Sequence, residues 1–216
     1  MSNTENTWIR RAVQLSWFTI GYNLLEGVVA IRFGISDESV ALAGFGADSL
    51  IEVASAILVL WRFRGESGMS GKLSLERERR ATYGIGGLFL LLAALSILAS
   101  VVQLSSHSHP STTLPGLLIS VLSLSFMFYL WSAKKKVGNA LQSTTVLSDA
   151  QCSLACIKLS FVLFAGSMLY WIAPSLWWAD SVAAIGIACL IGAEGVGTIR
   201  HARSDDFSGG CCGCDE

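Results

Sequence analysis

Six apolar stretches, each long enough to cross a lipid bilayer, follow one another along the 216-residue chain. A transmembrane helix needs about 20 consecutive, mostly apolar residues. The stretches cover residues 12–31, 40–61, 82–104, 114–131, 146–171 and 176–199. Because only short segments separate them, little chain remains for a soluble domain. The sequence therefore predicts an all-α membrane protein with six transmembrane helices.

The composition agrees with this fold class and argues against several soluble ones. Hydrophobic residues make up 52% of the chain and charged residues only 14%, whereas soluble domains average about 25% charged residues. The formal net charge of −1 does not supply the basic field that nucleic-acid binding requires. The first stretch contains Glu26 and has no small-residue cleavage site, so we expect it to stay attached rather than to act as a signal peptide.

Lysine and arginine residues set the predicted orientation. Thirteen of the fifteen lie before the first stretch, between the second and third, between the fourth and fifth, or after the sixth. Since basic residues in short loops stay in the cytoplasm, we predict that both termini are cytoplasmic in a multi-pass protein of the cell (inner) membrane. The expected organisation is a cytoplasmic stub over residues 1–7, a six-helix transmembrane domain over 8–200 and a cytoplasmic tail over 201–216.

Ionisable groups inside these helices need a physical reason, because each costs a few kcal/mol near the bilayer centre. Lys158 is the only base that the sequence predicts at that depth, so ion pairing can neutralise one acid at most. The remaining acids must be protonated, face water or hold a cation. Asp180 begins the sixth helix, and five further acidic residues lie within or near the helices: Glu26, Asp48, Glu52, Asp149 and Glu194.

Two pairs of potential ligands share the same helical spacing. Asp48 and Glu52 are four residues apart in the second helix, and Cys152 and Cys156 are four apart in the fifth. Residues i and i+4 lie on one face of a helix, so each pair places two donors side by side. Together they supply the four donors of a tetrahedral site for a zinc-like ion. The alternatives are a polar packing seam for the acids and small buried hydrophobic groups for the cysteines.

These residues resemble motifs of the cation diffusion facilitator family of metal/proton antiporters. The second-helix motif is Gly46-Ala47-Asp48-Ser49-Leu50-Ile51-Glu52, and the fifth-helix motif runs from Leu147 to Cys156. The basic segment Lys134-Lys135-Lys136-Val137-Gly138-Asn139 and the segment that begins Trp178-Ala179-Asp180 are similar to the family's link before the fifth helix and its start of the sixth. The resemblance covers the whole six-helix unit.

The resemblance implies a transporter rather than an enzyme, built as a cation-efflux-type bundle. It would export a divalent metal ion from the cytosol in exchange for protons, with Asp48, Glu52, Cys152 and Cys156 as the ligands. The metal is then substrate, and no resident cofactor is expected. Cysteines stand where the family usually has His and Asp, and such softer ligands favour zinc or cadmium, with mercury or cobalt as further candidates. The family's C-terminal cytoplasmic domain is not expected here, which leaves a homodimer open.

The sequence leaves the roles of several other residues undecided. In a second register, Asp149 and Ser153 would replace the cysteines, but serine is a poor ligand for these ions, so Asp149 is expected beside the site or at its entrance. Asn23 and Glu26 could line the same cavity. Glu194 could pair with Lys158, and the sequence does not decide this.

The last six residues form a separate cysteine-rich motif. Cys211, Cys212 and Cys214 lie with two acids on a glycine-flanked tail. Reduced thiols on a cytoplasmic segment can gather a soft metal, so we predict a capture site at the cytosolic entrance. The alternative is an unstructured terminus that carries cysteines by chance.

Two rival functions remain open from the sequence. A membrane thiol oxidoreductase would use the cysteines, although it normally needs a Cys-x-x-Cys pair at an exposed helix start. A metal-binding membrane protein without transport activity would keep the same site but carry no flux.

Overall fold

The computed structural model describes residues 3–36, 40–64, 71–106, 114–176 and 178–207. This part of the chain consists of six α-helices and one short 3-10 helix, and it contains no strand. The predicted all-α fold with six long helices is confirmed. The helices are α1 (Asn3–Ser36), α2 (Val40–Phe63), α3 (Gly71–Ser105), α4 (Leu114–Leu141), α5 (Thr144–Ile172) and α6 (Ala179–Arg203).

The helices extend beyond the apolar stretches, and in α4 the extension includes residues that were expected to form a link. The basic segment that begins at Lys134 was expected to link two helices, but it forms the last turns of α4. Lysine has good helix propensity, and its stem can pack on apolar surface, so charge alone does not end the helix. The chain turns at Gln142, whose φ is 49°, and Ser143 caps α5 by accepting a hydrogen bond from the backbone N–H of Val146.

Helices α2 and α5 lie at the centre of the bundle. Helix α2 packs against α1, α3 and α5, while α5 packs against α2, α3, α4 and α6. The beginnings of α1 and α5 and the ends of α2 and α4 share a hydrophobic cluster that includes Ala12, Val59, Val137 and Val146. We call this end of the bundle, where α1 begins and α6 ends, the basic end.

The outer surface of the bundle is apolar, as expected for helices in lipid. Trp17, Leu25 and Phe128 are each more than half exposed, although burial in a soluble core would be favourable for side chains of this size. Among the described residues, three segments have the length and composition of a membrane span: Ser74–Ser105, Thr144–Val162 and Ser181–Arg203.

Glycines allow two helix pairs to approach closely. A Cβ atom at Gly46 of α2 would lie 2.9 Å from the carbonyl oxygen of Gly27 in α1. A Cβ atom at Gly195 of α6 would lie 3.0 Å from the carbonyl oxygen of Gly86 in α3. Small residues at such crossings are typical of membrane helices, where backbone packing replaces the hydrophobic driving force.

Candidate functional site

The two predicted ligand pairs lie on the faces that α2 and α5 direct into the bundle. Asp48 is 6% exposed, while Glu52, Cys152 and Cys156 are fully buried. Because each pair has the i, i+4 spacing and the two helices pack together, the four side chains belong to one region of the core. We call Asp48, Glu52, Cys152 and Cys156 the carboxylate–thiol cluster.

One direct contact joins the two pairs. The Sγ atom of Cys156 donates a hydrogen bond to Oδ1 of Asp48, with a distance of 3.0 Å between the two atoms. This contact links two residues that are 108 positions apart in the chain. Carboxylate oxygen and thiol sulfur are both donor atoms that zinc-like ions accept.

Glu52 has an unusual environment for a buried acid. It is fully buried, yet neither carboxylate oxygen has a hydrogen-bond partner among the described residues. Leaving a buried carboxylate without hydrogen bonds is unfavourable, and native proteins rarely do so without a reason. An available carboxylate one helical turn from Asp48 suits a cation ligand.

A buried lysine lies beside the cluster. Lys134 of α4 is 1% exposed, and its Nζ atom lies 3.1 Å from Oδ2 of Asp149 and 3.8 Å from Oε1 of Glu52. The ammonium also donates a hydrogen bond of 3.0 Å to Oγ of Ser153, and the hydroxyl of Ser55 donates one of 2.6 Å to Oδ1 of Asp149. We call Lys134, Asp149, Ser153 and Ser55 the lysine cluster.

The sequence prediction about the buried base was wrong. Lys158 was taken as the only base at this depth, but its side chain is exposed, and Lys134 is the base that lies buried beside the acids of the site. A sequence signal for Lys134 did exist, because it continues the buried face of α4. The buried positions of this face recur at spacings of three and four: Ser123, Met127, Leu130, Lys134 and Val137.

The first helix adds a third acid near the cluster. Glu26 accepts hydrogen bonds of 3.2 Å from the hydroxyls of Tyr22 and Ser49. Ser49 is the neighbour of Asp48 in the chain, so Glu26 lies close to the carboxylate–thiol cluster. Asn23 is fully buried, and its side-chain oxygen has no hydrogen-bond partner in the described part of the chain. Both residues remain candidates for a supporting role.

The structure does not place the remaining predicted residues in the carboxylate–thiol cluster or the lysine cluster. Within the described ranges, no three His, Cys, Asp or Glu side chains converge closely enough to hold a metal ion as they stand. Glu194 is partly buried and Lys158 exposed; the charge of Lys158 acts on the Glu194 carboxyl, but the two do not form a direct ion pair in the described part of the chain. The tail cysteines Cys211, Cys212 and Cys214, and the side chain of Asp180, lie outside the described residues.

The sequence did not reveal a second polar network, which closes the basic end. Arg62 of α2 forms a buried ion pair with Glu78 of α3. The other carboxylate oxygen of Glu78 accepts hydrogen bonds of 2.7 Å from the hydroxyl of Ser143 and the backbone N–H of Thr145, at the start of α5. Both residues fall between the second and third apolar stretches, 40–61 and 82–104. They connect α2, α3 and α5 between the basic end and the lysine cluster.

Comparison with known proteins covers most of the chain. Residues 16–205 match the family profile described as the cation efflux transmembrane domain. The chain is also similar to transmembrane protein 163 of Xenopus laevis, with 26% identity over 189 residues. The aligned region is 87% of this chain and 66% of that relative, so the chain spans just under two thirds of its length.

Proposed function

Because the chain belongs to the cation efflux family, we propose that it carries a divalent metal ion across a membrane, out of the cytosol and in exchange for protons. The profile match extends from α1 to the end of α6 and therefore includes both ligand pairs. The observation that best supports the proposal is the contact between Asp48 and Cys156, which joins the acidic pair of α2 to the thiol pair of α5.

We propose Asp48, Glu52, Cys152 and Cys156 as the ligands. The cation would first meet Asp48 and Cys156, which are already in contact. Glu52 and Cys152 would then complete the coordination by rotating their side chains, since three donors do not yet converge. Glu52 is suited to this step because no hydrogen bond to a described residue holds its carboxylate.

The donor set favours a soft or borderline cation. Two carboxylates and two thiols select zinc or cadmium, with mercury or cobalt next, over magnesium or manganese, which prefer oxygen ligands. A thiol must lose its proton to bind metal, so metal entry would release protons from the cluster. Protons arriving from the opposite side would then displace the metal, which is the basis of exchange in an alternating-access cycle.

Further parts of the proposal concern the surroundings of the site. Asp149, Asn23 and Glu26 would support the ligands or line the entrance, and Cys211, Cys212 and Cys214 would capture metal in the cytosol. The cell (inner) membrane is the proposed location, and a homodimer is compatible with the proposal but not required by it.

The test is metal flux in proteoliposomes that carry a pH gradient, with zinc, cadmium, mercury and cobalt compared. We expect the unsubstituted chain to carry zinc or cadmium. The variants Asp48→Ala and Cys156→Ala should each lose most of this flux, because a site that loses one ligand loses both charge and geometry.

Cys189→Ala is the matched control, since Cys189 is an exposed cysteine of α6 away from the cluster. It should keep the parental flux. Parental flux in both ligand variants would disprove the site. Metal binding without flux in the unsubstituted chain would instead support a binding protein.

A further inference from the structure

The lysine cluster contains a positive charge at the place where a transported cation would meet the acids. Lys134 is buried in α4, and its ammonium lies between Asp149 and Glu52. Glu52 is one of the proposed metal ligands, while Asp149 is held from its other side by Ser55. The same ammonium therefore interacts with one acid inside the carboxylate–thiol cluster and with one outside it.

The two interactions are unequal. The ammonium is 3.1 Å from Asp149 and hydrogen-bonded to Ser153, but it is 3.8 Å from Glu52, beyond hydrogen-bond distance. Lysine carries a compact charge on a flexible stem, so small rotations can move this charge toward either acid. A divalent ion bound by Glu52 would repel the ammonium, and the repulsion is strong because few water molecules can screen charges in the core.

We propose that Lys134 is a built-in competitor of the transported cation and sets its affinity. Without metal, the ammonium compensates the charge of Glu52. When the metal binds, the ammonium withdraws to Asp149 and Ser153, and its repulsion keeps metal binding weak enough for release. This role requires no change in the protonation of Lys134. The inference rests on the proposed function, because it assumes that Glu52 binds the transported ion.

The network predicts opposite effects for two substitutions. Lys134→Gln removes the competitor, so Zn²⁺ should bind more tightly and leave more slowly. Asp149→Asn removes the acid that draws the ammonium away, so the ammonium should compete more strongly at Glu52 and weaken Zn²⁺ binding. A lysine that only stabilised the fold would impair binding in both variants.

The experiment is calorimetric titration of the purified full chain in detergent with Zn²⁺ alone, together with flux in vesicles. For Lys134→Gln we expect a Kd lower by about tenfold, within the typical range for coupled ligands, and a lower maximal flux. For Asp149→Asn we expect a higher Kd. Titration of Asp48→Ala gives the background from the tail thiols, which every variant retains.

Two controls separate this role from simpler ones. Lys135→Gln removes the neighbouring charge, which is exposed and lies 5.4 Å from the ring of Trp131, and should leave the Kd unchanged. Lys134→Arg keeps the positive charge, so its Kd should stay near that of the parent. If Lys134→Gln does not fold, the Kd of Lys134→Arg is compared with that of Asp149→Asn, which should be higher.

An unchanged or higher Kd in folded Lys134→Gln, or a lower Kd in Asp149→Asn, would overturn the inference. In either case zinc flux by the unsubstituted chain would leave the proposed function standing.

Discussion

At the scale of single residues, the buried charged side chains differ in the groups that surround and compensate them. Glu52 has no hydrogen bond to a described residue, Lys134 is shared between two acids, and Glu78 accepts several hydrogen bonds beside Arg62. The sequence identified Glu52 because the i, i+4 spacing is a local property. It did not identify Lys134 or Glu78, because their partners come from other helices.

The ion pair at the basic end leads to a stability prediction. Glu78→Gln removes the charge that compensates a buried guanidinium, and breaking such a pair costs about 3 to 5 kcal/mol. Glu78 is 2% exposed, so water cannot replace the lost charge easily. We expect the free energy of unfolding in detergent to fall by about 3 kcal/mol, measured by denaturant titration.

The control is Glu76→Gln, two residues earlier in α3. Glu76 pairs with Arg80, and both side chains are more than half exposed, so the loss should be below about 1 kcal/mol. Equal losses in the two variants would contradict the idea that burial makes the Glu78 pair important.

At the scale of elements, the sequence predicted six helices but not their ends. Apolar length determines which segments enter the bilayer, whereas a helix continues into the headgroup region wherever propensity and capping allow. Helix α4 continues through Lys134 to Leu141, and α5 starts at the cap of Ser143. This continuation of α4 carries Lys134 into the core, so a difference in helix length becomes a difference in the site.

Packing between α3 and α6 can be tested with two glycines of the same helix. Gly195→Ala would place its Cβ atom 2.8 Å from Cβ of Phe89 and 3.0 Å from the carbonyl oxygen of Gly86. Both contacts are too short, so the helices must move apart. Overpacking of this kind costs about 1 to 3 kcal/mol, and we expect a lower midpoint of thermal unfolding in detergent.

Gly197→Ala is the matched control, because a Cβ atom at Gly197 has no neighbour within 4 Å. It should unfold at the parental temperature or slightly above, since alanine favours helix. If both variants unfold at the same temperature, the close approach of α3 and α6 does not limit stability.

At the scale of the whole molecule, the chain is a multi-pass membrane protein with an apolar outer surface and an interior in which buried polar residues lie among hydrophobic clusters. The start of α1 and the end of α6 lie at the same end of the six-helix bundle, the basic end. Basic residues concentrate there, so the positive-inside rule predicts that the basic end faces the cytoplasm. If the chain exports metal as proposed, the ion enters from the side of the Arg62–Glu78 pair.

Sidedness can be measured with single introduced cysteines. Ser106 follows α3 at the opposite end, and Asn139 lies near the end of α4 at the basic end; both residues are exposed. A membrane-impermeant maleimide should label Ser106→Cys in intact cells but label Asn139→Cys only after permeabilisation. The parent chain, with its own cysteines, gives the background and should stay unlabelled in intact cells. The reverse pattern would invert the predicted orientation.

The sequence by itself determined the fold class, the number of helices and the two i, i+4 pairs of candidate ligands. These features depend on apolar length and on spacing within one helix, which are local properties of the chain. Only the tertiary structure decided that Cys156 meets Asp48, that Lys134 reaches Glu52 and Asp149, and that Glu78 compensates Arg62. Each of these contacts joins different helices, and their relative rotation and depth follow from packing across the whole bundle.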